Sequence, residues 1–125
     1  MTIHRHEVYY ADLSSTVGSE QFGIRPVVVI QNNIGNRESP TIIVAPLTTQ
    51  RKKLSLLTHV QIRLEGDKTM KNSVALLEQI RTIDKSRLKN YVGILDEASR
   101  NAIESATLVS LGLDVYKIYR RLYGE

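Results

Sequence analysis

The alternation of apolar and polar residues predicts several short strands over the first two thirds of the chain. Six segments have strand character: 7–13, 26–32, 41–47, 59–64, 73–83 and 91–95. Strict alternation at 59–64 indicates a strand with one buried face, whereas the β-branched run at 26–32 indicates a strand buried on both faces. Short strands joined by polar loops that contain glycine predict a small barrel or a strongly bent sheet.

The last third of the chain changes to a helical period. Apolar residues recur every three or four positions over 97–113, which predicts an amphipathic helix, and Asp96 is a favourable N-cap for it. Gly112 is expected to weaken or end this helix. The tail 114–125 again has an apolar face, which suits either an extension of the helix or docking on a second subunit. A short helical turn is expected within 84–90.

Length and composition limit the possible classes of protein. The 125 residues fit one domain, which we place at 1–113, with 114–125 as an extension of the same domain. The 17 Lys and Arg residues exceed the 13 Asp and Glu residues, and the net charge of +4 suits a polyanion such as nucleic acid without requiring one. The chain has no cysteine, which excludes disulfides, a thiolate nucleophile and Cys-type metal sites. We find no signal-peptide pattern and no run of about 20 apolar residues, so we expect a cytoplasmic protein.

The three histidines are the imidazole groups available for acid–base chemistry or for metal binding. An extended backbone would direct His4 and His6 to one side, but histidines near a terminus are usually solvated. His59 opens an alternating strand and is interpreted as a surface or edge residue. Because no carboxylates stand at metal-binding spacing either, we predict neither a metal site nor a cofactor.

Arg25 is the most informative polar residue, because Pro26 and a buried strand follow it. Pro26 biases Arg25 toward an extended backbone, which presents the guanidinium at the mouth of a strand. An arginine there can bind a phosphate through two parallel hydrogen bonds and stabilise charge that develops on it. On the residues alone, an ordinary surface arginine at a strand start is the simpler interpretation.

A second polar group follows the strand at 41–47. Thr48, Thr49 and Gln50 end this strand, and the basic residues Arg51, Lys52 and Lys53 come next. Hydroxyls at a strand end can donate to a phosphate oxygen, and the cations add electrostatic attraction. A solvated turn explains the same residues equally well.

Two carboxylates occupy unusual positions. Glu20 lies in a loop between Gly18 and Gly23, and Glu78 interrupts an apolar run beside Gln79. A polar pair inside such a run must face solvent, a groove or a hydrogen-bond partner. The two side chains therefore either satisfy neighbouring backbone groups or line a groove.

Four segments in order resemble the MazF/PemK-like toxins of bacterial toxin–antitoxin systems. They are Gly18–Gln21, Arg25–Asn32, Thr48–Gln50 and Leu77–Ile83, and the resemblance runs from about residue 5 to residue 113. Each segment alone is a weak signal, but the four in order and at the family's spacing are specific. The tail 114–125 extends past the usual end of the family.

The resemblance implies a mainly β (α+β) fold: a small SH3-like barrel of short, mostly antiparallel strands with a C-terminal helix, built as a homodimer. It implies a metal-independent endoribonuclease (an mRNA interferase) that cuts single-stranded mRNA at a short motif, and a MazE-like antitoxin whose disordered acidic tail blocks the RNA groove. It assigns catalysis to Arg25 and Thr48. Glu20 is a weaker third candidate, because a carboxylate near Arg25 can act as the base.

RNA recognition is expected from the loops on either side of these residues. Single-stranded RNA is read through splayed bases that stack on side chains or are hydrogen-bonded at their edges. The RNA-binding candidates are Ser19, Gln21, Phe22, Thr49, Gln50, Arg51 and Gln79. Phe22 is either a stacking platform or a loop side chain folded onto the core.

Two other functions are compatible with parts of this sequence. A non-enzymatic poison of the same fold, similar to the CcdB toxins that bind DNA gyrase, would use C-terminal residues and would need neither Arg25 nor Thr48. A passive RNA-binding barrel would use the basic loops without requiring Thr48. The presence of both the Arg-Pro and the Thr-Thr-Gln segments favours the enzyme.

Overall fold

The computed structural model describes residues 2–14, 17–49, 56–66, 70 and 72–124. Within them lie seven strands: β1 (Glu7–Asp12), β2 (Ile24–Val29), β3 (Thr41–Thr48), β4 (His59–Gln61), β5 (Val74–Leu76), β6 (Arg81–Asp84) and β7 (Leu88–Ile94). Three helices accompany them: α1 (Asn33–Glu38), α2 (Glu97–Leu111) and α3 (Val115–Tyr123). Short 3-10 turns occupy Leu77–Gln79 and Lys85–Arg87. No helix in these ranges has the length and apolar character needed to span a membrane.

The strands form one antiparallel sheet that curls on itself. Its order is β4-β5-β3-β2-β1-β7, and β6 pairs with the first half of β3. Each strand pair is antiparallel, and a bridge between Leu64 and Leu95 brings the chain after β4 against the end of β7. This arrangement confirms the predicted mainly β fold of short antiparallel strands with a C-terminal helix.

Two apolar clusters lie on opposite faces of the central strands. Val28 and Ala45 belong to the first cluster, which α2 covers with Ile103 and Ala106. Val27 belongs to the second cluster, together with residues of β1, β3 and β6. Because Val27, Val28 and Val29 are all fully buried, the prediction that this run is covered on both faces is confirmed.

Helix α2 begins and ends where the sequence indicates. The Asp96 carboxylate accepts a hydrogen bond from the Ser99 N–H at 2.8 Å, and Gly112 ends the helix in the left-handed region at φ 67°. The hydroxyl of Ser99 in turn accepts from the Arg63 N–H at 2.8 Å, which ties the helix to the chain after β4. The tail does not extend α2, because Asp114 caps a separate helix, α3, whose described side chains are exposed or half-buried.

Two segments differ from the sequence-based expectations. A polar loop is predicted between the strands at 26–32 and 41–47, but α1 lies there. It is capped by Asn32 and anchored by Asn36, which donates to the Gln31 carbonyl at 2.9 Å. The run at 73–83 is not one strand, because the 3-10 turn Leu77–Gln79 separates β5 from β6. The expected helical turn within 84–90 is present at Lys85–Arg87.

Candidate active site

The register of β2 and β3 relates Arg25 to Thr48. The ladder pairs Val28 with Ala45 and ends with Val27 opposite Pro46. Continued by two residues, the same register sets Arg25 opposite Thr48. Residues directly opposite in an antiparallel ladder share a face of the sheet, with Cα atoms about 4.5–5.5 Å apart where the ladder is regular.

Arg25 is held by the loop that precedes it. Its Nε donates to the Phe22 carbonyl at 3.1 Å, and the side chain is half-buried. Among the described residues this is the hydrogen bond that its guanidinium makes, and it leaves both Nη groups available to an anion. Pro26 holds the chain in the extended form of β2, in agreement with the prediction for Arg25.

Thr48 is fixed by pairing on its other side. It ends β3, lies opposite Val74 of β5 and is 7% exposed. The next residue, Thr49, is exposed. The candidates Gln50 and Arg51 lie outside the described residues, as do Lys52 and Lys53.

The loop before Arg25 is fastened to the turn after β5 by Gln79. The Gln79 amide oxygen accepts from the Gln21 N–H at 2.9 Å, and its amide nitrogen donates to the Ser19 carbonyl at 3.4 Å. The structure therefore brings Gln79 together with Ser19 and Gln21, which precede Arg25 in the chain. Both ends of the Gln79 amide already have partners, so its direct contact with RNA stays a prediction.

Glu20 and Phe22 are exposed residues of this loop. The Glu20 carboxylate accepts a hydrogen bond from the Val17 N–H, and the residue is exposed. Phe22 is 63% exposed, so its ring is not folded onto the core. An exposed ring in a loop is suited to stacking against a base.

A hydrogen-bonded group that the sequence analysis did not identify joins β4 to the turn after β5. The Glu78 carboxylate accepts from the Thr58 hydroxyl at 3.0 Å and contacts His59 Nε2 at 2.9 Å. Partial burial acts to raise the pKa of Glu78, but the hydrogen bonds from His59 and Thr58 outweigh it and lower this pKa below its usual value. His59 lies on β4, an edge strand of the sheet, as its position in the sequence indicates, and it pairs there with Glu78.

The N-terminal histidines do not converge. The backbone at His6 is left-handed, with φ 74°, rather than extended, so His4 is exposed while His6 is buried. His4 Nδ1 lies 3.5 Å from the Glu7 carboxylate, whereas His6 Nε2 lies 3.5 Å from that of Glu104. Across the part of the chain that the structure describes, no three His, Asp or Glu side chains are grouped as metal ligands would be.

Comparisons with known proteins agree with this fold. The family described as "PemK-like, MazF-like toxin of type II toxin-antitoxin system" matches residues 4–111. Endoribonuclease EndoA of Bacillus subtilis (strain 168) is 52% identical over 113 residues, which cover 90% of this chain and 97% of that protein.

Solved structures show the same likeness. An endoribonuclease from a mycobacterial species, solved in complex with its cognate antitoxin, is 28% identical with a TM-score of 0.72, and the match covers 90% of this chain and 97% of that one. MazF from Deinococcus radiodurans is 17% identical with a TM-score of 0.74, which supports the fold, and the match covers 90% of this chain and 99% of that one. The chain therefore belongs to the PemK-like, MazF-like toxins of type II toxin–antitoxin systems and is an endoribonuclease.

Proposed function

We propose that this endoribonuclease cuts single-stranded mRNA at a short sequence motif, with the substrate's own 2′-OH as the nucleophile and without a metal ion. The products are a 2′,3′-cyclic phosphate and a 5′-OH. The observation that carries the proposal is the register of β2 and β3, which pairs Val27 with Pro46 and, continued by two residues, sets Arg25 opposite Thr48. A phosphate held between them meets a cation and a hydroxyl donor at the same time.

Arg25 is assigned to the charge that develops on phosphorus. Attack of the 2′-OH places additional negative charge on the non-bridging oxygens, and a guanidinium can donate to two such oxygens in parallel. The hydrogen bond from Nε to the Phe22 carbonyl supports this role, because it orients the guanidinium before RNA binds. Arg25 is also assigned to supply the proton to the departing 5′-oxygen: the strongly basic alkoxide takes the proton as the P–O bond breaks, and the guanidinium then regains a proton from solvent.

Thr48 is assigned to a non-bridging oxygen of the same phosphate, to which its hydroxyl donates. The support is its position: pairing with Val74 of β5 fixes the backbone of Thr48 at the end of β3. Removal of one such preorganised donor typically raises the barrier by about 2.7–4 kcal/mol.

The base that removes the 2′-OH proton is a separate assignment. An arginine is essentially always protonated and accepts no proton, so the carboxylate of Glu20, in the loop that precedes Arg25, is the candidate. This carboxylate accepts one hydrogen bond from the Val17 N–H, and its other lone pairs are available to the 2′-OH.

RNA binding is assigned to the loops around this pair. Ser19, Gln21, Phe22, Thr49, Gln50, Arg51 and Gln79 are the proposed contact residues. The exposed ring of Phe22 supports stacking on a base, and the fastening of Gln21 by Gln79 supports a preorganised loop.

We further propose that the protein acts in the cytoplasm as a homodimer and is inhibited by a MazE-like antitoxin, whose acidic tail occupies the RNA groove. The mycobacterial endoribonuclease solved with its cognate antitoxin supports an antitoxin partner. The net charge of +4 favours an acidic segment as that partner.

Incubation of RNA with the purified protein and EDTA tests the proposal. Wild-type protein and Arg37→Ala, which removes an exposed arginine of α1, are expected to cut the RNA, and Arg25→Ala is expected to leave it intact while remaining folded. Cutting by Arg25→Ala at the wild-type rate would refute the role of Arg25. If the wild type leaves the RNA intact in EDTA and cuts it after Mg²⁺ is added, a metal-independent reaction is refuted.

A further inference from the structure

His59, Glu78 and Thr58 form a compact polar group beyond the Arg25–Thr48 pair. Glu78 receives hydrogen bonds at 3.0 Å from Thr58 Oγ1 and at 2.9 Å from His59 Nε2. The side chains of His59 and Glu78 are 17% and 34% exposed, so the pair is accessible yet held in place by its partners. None of the steps of phosphate chemistry described above uses this group.

The strand register places this group on the same face of the sheet as Thr48. Thr48 lies opposite Val74 of β5, and two residues further along β5 Leu76 lies opposite His59 of β4. Opposite residues share a face, and so do residues two apart on one strand. His59 is thus two strands across and two residues along from Thr48, a separation of about 12 Å from standard strand spacing.

The turn after β5 links the group to the loop proposed to bind RNA. Glu78 precedes Gln79, whose amide fastens Gln21 and Ser19. Leu77, on the other side of Glu78, is fully buried, which fixes the turn from beneath. The group therefore lies beside the proposed path of the RNA, at some distance from the cut.

The group offers hydrogen-bond acceptors. The ionised Glu78 carboxylate accepts hydrogen bonds and donates none. When the imidazole of His59 is neutral, its Nε2–H donates to Glu78 at 2.9 Å, so Nδ1 is left as a further acceptor. A base that binds to the Glu78 carboxylate must therefore bring an N–H donor.

We propose that His59 and Glu78 form a specificity subsite that accepts an RNA base with an exocyclic amino group and rejects uracil. Adenine, cytosine and guanine each carry such an amino group on the Watson–Crick edge, and a carboxylate is a suitable acceptor for it. Uracil has a single N–H on this edge, N3–H, between two carbonyl oxygens, and it presents a carbonyl where the others present the amine, so acceptor would face acceptor at that position. The subsite rests on the proposed function, since it determines which RNA the Arg25–Thr48 pair cuts.

The variant Glu78→Gln tests the subsite because it keeps the size of the side chain and replaces an acceptor with a donor. A pool of random RNA is cut by the wild type, by Glu78→Gln and by the control Glu38→Gln, which alters an exposed carboxylate of α1. Sequencing of the 5′ ends of the fragments then gives the motif for each protein. We expect Glu78→Gln to admit uracil at one position about 10- to 100-fold more often than the wild type does, with the other positions unchanged.

The outcomes separate the subsite from the function on which it rests. If the wild type yields no fragments, RNA cleavage itself is refuted and the subsite with it. If the wild type cuts and all three proteins share one motif, the subsite is refuted and the cleavage function stands. Loss of thermal stability in Glu78→Gln without a change of motif would also overturn the subsite, because it would show a purely structural group.

A binding measurement on the wild type covers the case in which Glu78→Gln does not fold. The probe is a short RNA that carries the motif and a 2′-deoxy nucleotide at the cut, so that it binds without reacting. Replacing the amino-bearing base by uracil at each such position in turn is expected to weaken binding at least about tenfold at the subsite. Equal affinity after every replacement would overturn the proposal.

Discussion

The amide of Gln79 accepts a hydrogen bond at 2.9 Å from the backbone N–H of Gln21, although 58 residues separate them in the chain. This contact fastens the loop before β2 to the turn after β5. The same loop supplies the Phe22 carbonyl that holds the guanidinium of Arg25. The orientation of Arg25 therefore depends on a residue that comes after β5 in the chain.

Replacing Gln79 by alanine is expected to loosen this loop. Two hydrogen bonds are lost, at a net cost of about 1–2 kcal/mol, so kcat/KM for RNA should fall roughly 5- to 30-fold. Hydrogen exchange at the Gln21 amide should become faster in the variant. Asn101→Ala, which removes an exposed amide of α2, serves as the control, and unchanged protection of the Gln21 amide would contradict the role of Gln79.

Replacing Thr48 by valine removes the hydroxyl and keeps the shape of the side chain. Cleavage is expected to fall about 10²- to 10³-fold in kcat, because one donor to the reacting phosphate is lost. Thr48→Ser keeps the hydroxyl and should retain most of the activity. Single-turnover rates measure both variants, and wild-type rates for Thr48→Val would remove Thr48 from the mechanism.

His6 makes the stability of the fold depend on pH. Burial lowers the pKa of His6, with the positive charge of Arg5 and Arg100 acting in the same direction and Glu104 acting against them. The unfolded chain thus binds this proton more readily than the folded one. Above the unfolded pKa of about 6.5, His6 does not reduce the free energy of unfolding. As the pH is lowered below that value, the free energy of unfolding falls by at most about 1.4 kcal/mol per pH unit from this group.

Denaturant unfolding of wild type and His6→Asn at pH 7.5 and pH 5.5 measures this effect. Asparagine tolerates the left-handed backbone and does not titrate, so the variant should lose less stability between the two pH values. The control variant His4→Gln, which replaces an exposed histidine, should show a pH dependence of stability close to that of the wild type. The same loss of stability in His6→Asn and in the wild type would exclude His6 as its source.

A chain that ends at Leu113 should fold and cut RNA like the full-length protein. The described residues of α3 are exposed or half-buried, and the family match ends at residue 111. We expect the midpoint of thermal unfolding to change by less than about 2 °C, since little apolar surface is lost from the core. Loss of cleavage, or of the dimer in light scattering, would show that the tail belongs to the active unit.

Sequence patterns predicted those strands and helices that are determined by the residues of a single segment. The buried run of β2 and the αL cap of α2 at Gly112 follow from residue types at consecutive positions. Helix α1 was missed because it is only six residues long and has no apolar period. It is stabilised instead by the Asn32 cap and by the contacts of Asn36 with Gln31.

Contacts between segments that are distant in the chain could not be predicted from sequence patterns. The run at 73–83 predicts a continuous strand because Leu77 and Ile80 keep it apolar, yet Leu77 packs inward through a 3-10 turn. The pairing of His59 with Glu78 requires the register of β4 and β5, which no single segment contains. The one feature of the sequence that indicates this pairing is the polar residue Glu78 within an apolar run.

Cleavage of an RNA that carries a single 2′-deoxy nucleotide immediately 5′ of the cut tests the central claim most directly. The all-ribose control should yield a 2′,3′-cyclic phosphate and a 5′-OH in the presence of EDTA, while the substituted RNA should stay intact at that position. Cutting of the substituted RNA at the same bond would mean that the attacking oxygen comes from elsewhere, and the roles assigned to Arg25 and Thr48 would then be wrong.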